Sequence, residues 1–362
     1  MKGWDARLRQ DDEHVDDARQ GESLLAKHVK LPPSRVQGPG DDIDPGGPAQ
    51  EGMVTAFFPG GAYVRLGGRE LLCSIAKTFR GFEGATALAV GDDVTVALAP
   101  PHGDTRIDKQ RADGVILSRR TRRTALARPQ PTSDKRRDAH EEGFEKVIVA
   151  NMDALAIIAA IRRPALRTGL IDRFLIMAER GRLRPMIVVN KIDLERPAPH
   201  LLSELSGGGD ADVLAVSAQT GEGLDILRAA LAGRRTVMAG ASGVGKSSLI
   251  NAIVPGADLP SQAVRAKDQR GRHTTAAATV HELPGGGLVV DTPGVRELAV
   301  EMDASELPWY FPDIAALAPR CKFNDCSHTH EPQCAVIAAV EAGRLDPRRY
   351  ESYLRILDTL ER

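Results

Sequence analysis

The sequence predicts a multidomain molecule in three parts. A small all-β barrel comes first, a mostly parallel, doubly wound α/β domain follows, and a short helical segment with a Cys/His cluster ends the chain. Three observations predict it. Short apolar runs separated by Gly/Pro turns fill residues 51–117. From about residue 145 to 300, apolar runs alternate with amphipathic stretches, the pattern of strands and crossover helices. Three of the four cysteines then fall together within 321–334.

Composition bounds the answer. The 362 residues are 42% apolar and 27% charged, which excludes a fully disordered or fibrous chain. Aromatics are only 4%, so the cores must be aliphatic. Lys+Arg is 48 against Asp+Glu 49, a formal net charge of -1, so nucleic-acid binding would need a local basic patch. No stretch reaches the ~18 uninterrupted apolar residues of a membrane helix; the best, Val147 to Ile161, is broken by Asn151 and Asp153. Residues 1–20 are charged throughout and lack the apolar core of a secretory signal. The expectation is a cytoplasmic monomer with no membrane partner and one metal site rather than a disulfide framework.

The elements follow in order. Residues 1–48 are polar and end in Pro/Gly punctuation, as a disordered extension would be. Residues 49–118 hold strand runs at Gly52–Phe57, Ala62–Leu66, Glu70–Ile75 and Asp93–Ala99, split by Pro59-Gly60-Gly61 and Gly67-Gly68 turns. Their spacing predicts an OB-type barrel, a fold that often binds oligonucleotides, with an SH3-like barrel as the competitor. Residues 119–144 read as a basic linker or insertion. Arg119, Arg120, Arg122, Arg123 and Arg128 belong to a run that is either a solvated face or a phosphate contact for RNA. In 145–302, strands at Val147–Ala150, Leu155–Ile161, Met186–Val189, Val213–Val216, Thr236–Ala239 and Leu288–Val290 alternate with helices at Leu170–Arg180, Leu224–Leu231 and Lys246–Ile253. Residues 303–362 carry the Cys/His cluster and helices at Ala335–Ala342 and Pro347–Glu361.

The strongest motif is Gly240-Ala241-Ser242-Gly243-Val244-Gly245-Lys246-Ser247, followed by Ser248, after an apolar strand and opening a helix. That is the context of a phosphate-binding loop. Glycines let backbone N–H groups wrap the phosphates, Lys246 neutralises β/γ oxygens, and Ser247 offers a hydroxyl to Mg²⁺. Asn190-Lys191-Ile192-Asp193, at the end of another buried strand, selects the base. The Asp193 carboxylate accepts both donors of guanine, and adenine would leave it unpaired, which argues against an ATPase. Asn190 would tie this loop to the phosphate loop, with the Lys191 stem lying on the ring face. The Ala218 N–H of Ser217-Ala218-Gln219 could donate to guanine O6. Asp291-Thr292-Pro293-Gly294 would hold Mg²⁺ through water at Asp291 and sense the γ-phosphate at the Gly294 N–H. Between them, Thr274 or Thr275 would complete the Mg²⁺ shell, with Thr275 the one assigned. GTP, GDP and Mg²⁺ are the ligands implied. Val295, after the Asp-x-x-Gly, cannot orient a water, so the catalytic pair is drawn as Lys246 and His273. Cys321-x4-Cys326-x-His328-x5-Cys334 suits a structural Zn²⁺ ion, with His330 the alternative nitrogen ligand.

The order of these motifs is unusual: Asn190 and Ser217 precede Gly240, and Asp291 comes last. The chain therefore resembles the circularly permuted GTPases. With a barrel before and a Cys/His module after, it resembles one bacterial family among them, the ribosome small-subunit-dependent GTPase A proteins, over roughly residues 50–362. The resemblance implies an OB barrel, a circularly permuted P-loop GTPase domain and a C-terminal α-helical zinc-binding domain. It further implies a late assembly factor of the 30S ribosomal subunit, contacting 16S rRNA, whose hydrolysis that subunit stimulates. It implies the zinc set Cys321, Cys326, His328 and Cys334, and a role for His273. The alternatives are a GTP-binding RNA or ribosome assembly scaffold with little turnover, and a permuted GTPase of the large subunit.

Overall fold

The computed structural model describes residues 49–76, 79, 86–99, 106–107, 110–129, 145–205, 211–259, 278–292 and 302–360. The expected extension 1–48 lies outside them. Strands β1 (Ala49–Phe58), β2 (Gly61–Leu66), β3 (Arg69–Ile75) and β4 (Asp93–Leu98) are joined by β7 (Gly114–Arg119) into a closed barrel of order β1-β2-β3-β7-β4. A two-stranded ribbon, β5 (Arg106–Ile107) and β6 (Gln110–Arg111), precedes β7. All barrel pairings are antiparallel except β3 with β7. One parallel pair in a five-stranded Greek-key ring is OB topology. Alternate residues point inward, so Val54, Val64, Cys73, Val94, Val96 and Ile116 fill the interior.

The Arg-rich stretch is more structured than a linker. It supplies Arg119, the last residue of β7, and all of β8 (Ala125–Pro129), which pairs antiparallel with β9 (Glu145–Ala150). Its first arginines are engaged in ion pairs. Arg122 grips Asp92 through both carboxylate oxygens at 2.7 and 2.8 Å and also donates to the Thr86 carbonyl at 2.9 Å. Arg119 lies 3.8 Å from the same fully buried carboxylate, Arg120 pairs with Glu51, and Arg123 faces Asp153. Burial pushes the Arg119 guanidinium below its usual range, with Arg122 adding to the effect. Arg119 and Arg122 are buried and fasten the barrel, while Arg120 and Arg123 stay exposed in their ion pairs, as residues of a solvated face would.

The central sheet has the order β12-β11-β10-β13-β15-β14. Its strands are β10 (Ala154–Ala160), β11 (Arg184–Asn190), β12 (Asp212–Ala215), β13 (Arg235–Ala239), β14 (Thr279–Glu282) and β15 (Leu288–Asp291). All pairings are parallel except β14 on β15. Period-2 alternation divides each strand between two cores. Leu155, Ile157, Ile187, Val189, Val237 and Val290 pack with Ile171, Phe174 and Met177 of helix α1 (Thr168–Arg180). Leu205 of helix α2 (Pro199–Leu205) joins that core. On the other face, Ala156, Ile158, Met186, Val188, Met238 and Val289 meet α3 (Leu224–Leu231) and α4 (Lys246–Ile253) through Leu227, Leu231, Leu249 and Ile250. Both faces are covered, so β10 is buried along its whole length and reads as a continuous apolar run.

The C-terminal module contains 3-10 turns at Ala304–Tyr310 and Ala318–Arg320 and helices α5 (Pro312–Ala315), α6 (Ala335–Glu341) and α7 (Pro347–Leu360). Its core of Leu307, Phe311, Ile314, Val336, Tyr353, Ile356 and Leu357 includes Ile176 of α1. Helix α1 thus serves two cores at once. The barrel meets the sheet through Arg65–Glu282 at 2.6 Å and Arg235–Asp93 at 2.9 Å. Among the described residues no helix is long and apolar enough to cross a membrane.

Candidate functional site

The carboxyl ends of the parallel strands carry the motif residues, as open α/β sheets require of a ligand crevice. Strand β13 delivers Gly240 and the phosphate loop, β11 delivers Asn190, β12 leads to Ser217, and β15 ends on Asp291. These four segments are far apart in sequence, and strand order alone brings them to one edge.

The phosphate loop needs glycine for two distinct reasons. Gly240 (φ +149°) and Gly245 (φ +99°) have dihedrals that L side chains rarely adopt. A Cβ at Gly240 would strike the Ile158 carbonyl oxygen, and one at Gly245 would strike the Asn190 amide nitrogen. At either position a methyl would drive the loop away from the neighbour it packs on. Lys246 Nζ lies over it, donating to the Gly240 and Ala241 carbonyls at 2.7 and 2.9 Å. Val244 is buried, Ser247 is half-buried, and Ser242 and Ser248 face solvent.

Asn190 joins three segments. It is buried, its Nδ2 donates to the Val244 carbonyl at 2.9 Å, and its Oδ1 accepts from the Ala218 N–H at 3.1 Å. Lys191, in a left-handed conformation (φ +64°), donates to the Gly243 carbonyl at 2.6 Å and to the Arg163 carbonyl. Burial lowers the Lys191 pKa and the Arg163 cation lowers it further, while Asp193 opposes both. Asp193 is exposed at the rim, where Ser217 Oγ donates to its Oδ1 at 2.6 Å. The Thr220 N–H donates to that same Ser217 hydroxyl at 3.1 Å. The carboxylate is thereby fixed while its other oxygen stays open to a ligand. Two partners had no signature in the sequence. They are the Arg163 carbonyl that holds Lys191 and the Arg196–Glu222 pair (2.9 and 3.2 Å) that ties the two base-side loops together. Each depends on folding of residues 26 or 28 apart.

Asp291 is 5% exposed at the end of β15, level with Met238 of β13, and Thr292 Oγ1 donates to the Met238 carbonyl at 3.2 Å. His273, Thr274, Thr275, Gly294 and Val295 lie outside the described residues.

The Cys/His cluster assembles as a second centre. One ligand atom from each of Cys321, Cys326, His328 and Cys334 lies within 4.8 Å of the others. Cys321 Sγ is 3.9 Å from Cys334 Sγ and 3.5 Å from His328 Nδ1, and Cys334 Sγ is 3.6 Å from that nitrogen. A tetrahedral ion with Zn–S bonds of about 2.3 Å sets sulfurs roughly 3.8 Å apart, so the spacing fits zinc. His330 is exposed and bonds Thr329 instead, which removes it as a ligand. Burial pushes the Cys326 thiol up to about 12 and lowers the His328 imidazole. Glu331 shapes the loop between the ligands. It accepts from Ser327 N and Oγ at 2.6 Å and from the N–H groups of Thr329 and His330 at 3.1 and 3.2 Å. Burial works against its charge, but these donors hold its carboxyl down to about 2.

The RsgA GTPase family model matches residues 120–301. The small ribosomal subunit biogenesis GTPase RsgA of Chlorobaculum parvum is 39% identical over 314 residues, covering 86% of this chain and 98% of that protein. The chain belongs to the RsgA GTPase family. A second RsgA, from Gemmatimonas aurantiaca, is 41% identical over 285 residues, covering 76% of this chain and 86% of its own length. The crystal structure of YjeQ from Thermotoga maritima superposes with a TM-score of 0.64 at 32% identity, covering 86% of this chain and 98% of that one. YloQ, described as a circularly permuted GTPase, superposes with a TM-score of 0.59 at 26% identity, covering 86% and 95%. As an RsgA family member the chain is a GTPase, and the permuted order of its motifs is the family's architecture.

Proposed function

We propose that this RsgA-family chain hydrolyses GTP to GDP and phosphate in the assembly of the small ribosomal subunit, and that the subunit stimulates the reaction. The observation that carries the nucleotide half is the Asn190 side chain bridging the phosphate loop to the base-side loop, which makes one pocket of separate motifs. The ribosomal half is supported by the relatives' names and by the barrel and Cys/His module flanking the GTPase domain.

In this reading Gly240, Ala241, Ser242, Gly243, Val244 and Gly245 wrap the phosphates with their N–H groups. Lys246 leaves the loop carbonyls to neutralise β/γ oxygens, and Ser248 lies beside them. Asn190, Lys191, Asp193, Ser217 and Ala218 hold and read guanine. Ser247, Thr275 and, through water, Asp291 would hold Mg²⁺, and Gly294 would sense the γ-phosphate. When bound, Mg²⁺ supplies charge neutralisation across the β and γ oxygens. Val295 cannot position the attacking water, so His273 or a group of the subunit does so. Cys321, Cys326, His328 and Cys334 hold one structural Zn²⁺. The protein acts as a cytoplasmic monomer on the 30S subunit and its 16S rRNA.

Co-sedimentation tests the partner. With a non-hydrolysable GTP analogue, the protein should pellet with purified small subunits and stay in the supernatant with large ones. Equal pelleting with both, or with large subunits alone, would overturn the assignment.

A further inference from the structure

Helix α7 touches both the Cys/His centre and helix α1, and the two contacts occupy a single turn. On one side, Tyr350 donates to the His328 carbonyl at 2.6 Å and Tyr353 to the Ser327 carbonyl at 2.9 Å. His328 is both a ligand candidate and a non-glycine residue at φ +60°, a conformation that persists only where its surroundings impose it. Tyr353 is fully buried, edge-on to Phe311 and 6.5 Å from the Tyr350 ring in a stacked pair. On the other side, Arg349 and Ser352 both bond the Asp172 carboxylate of α1. Arg349 also reaches Asp313 at 3.4 Å and lies 4.5 Å over the Phe311 ring. The Asp172 and Arg349 side chains are each 10% exposed.

We propose that Arg349, Tyr350, Ser352 and Tyr353 are positioning residues that make zinc binding and the docking of the C-terminal module on α1 a single linked equilibrium. The inference rests on the zinc reading of the cluster. The geometry is the reason. Arg349 and Ser352 set where the turn 349–353 lies against the GTPase domain. That turn carries the two hydroxyls that hold the backbone of the metal loop in a ligating shape. Zinc, by fixing the loop, holds those hydroxyls' acceptors in place, and so holds the turn on Asp172. Groups behind metal ligands commonly change affinity by about 10–100-fold when removed. Linkage requires that the metal strengthen the docking by the same factor by which docking strengthens the metal.

Metal analysis of the purified wild-type protein comes first. One zinc per chain is required, and a protein without stoichiometric zinc overturns the zinc reading itself together with this inference. Zinc affinity is then measured by competition with a chelator. Tyr350→Phe, which deletes one hydroxyl beside the metal loop, should weaken it by about tenfold or more. Ser352→Ala and Arg349→Gln, on the side of the turn that faces α1, should weaken it in the same direction while circular dichroism stays native. Hydrogen exchange gives the reverse arm: stripping zinc should speed exchange across Thr168–Arg180. Wild-type zinc affinity in Ser352→Ala, with exchange in α1 indifferent to the metal, overturns the linkage and leaves the zinc reading intact. Should Arg349→Gln not fold, Ser352→Ala and the exchange arm still decide.

Discussion

Asp193 shows how much one residue can be asked to do and what keeps it there. An exposed carboxylate is free to rotate, and Ser217 Oγ at 2.6 Å, held in turn by the Thr220 N–H, removes that freedom. Asp193→Asn places a donor where guanine also donates, so GTP affinity should fall by at least about tenfold while affinity for xanthine nucleotides rises, read by competition binding. Unchanged GTP affinity would remove Asp193 from base recognition. Glu331 gives a pH dependence. Its folded pKa of about 2 lies below the ordinary 4.5, so it stabilises the fold fully above the unfolded value, and this is lost as pH falls toward the folded one. The Tm difference between wild type and Glu331→Gln should therefore shrink between about pH 5 and pH 3. A difference that grows on acidification would contradict the carboxylate's role. The sequence announced Asp193 because its neighbours in the motif are local. It was silent on Glu331, whose donors are also local, because an acid between two metal ligands has no spacing signature.

At the scale of elements, the phosphate loop is the most constrained segment. Gly245→Ala puts a methyl into the Asn190 amide at a positive φ. It should abolish measurable GTP binding in equilibrium dialysis while α4, whose apolar face is untouched, keeps the protein folded. Retained affinity would mean that the Asn190 bridge is dispensable. Long apolar runs such as β10 and amphipathic helices such as α1 were legible because their periodicity is strong. Strand β7 ends on Arg119, whose buried charge is met by Asp92 from elsewhere in the chain, and β8 lay inside what reads as a basic linker. Strand β14 is four residues of mixed polarity, and its pairing with β15 supplies what its composition does not. The Cys/His ligands could be read from the sequence, but the choice between His328 and His330 is made by the loop's fold.

For the whole molecule, three modules share few but specific contacts: Arg65–Glu282 and Arg235–Asp93 from the barrel, and Ile176 and Asp172 of α1 from the C-terminal module. In sequence, the C-terminal module follows soon after Asp291, beginning with the 3-10 turn at Ala304–Tyr310. Its described packing, however, is on α1, which follows β10 on the base-recognising side of the site. Ribosome dependence is what the proposed mechanism turns on, because Val295 cannot orient water and His273 or a group of the subunit must do so. GTP turnover by the purified protein, alone and with increasing 30S subunits, with 50S subunits as the control, tests it most directly. Slow turnover alone and large stimulation by 30S only are expected; tight GTP binding with no stimulation by either subunit would overturn ribosome dependence.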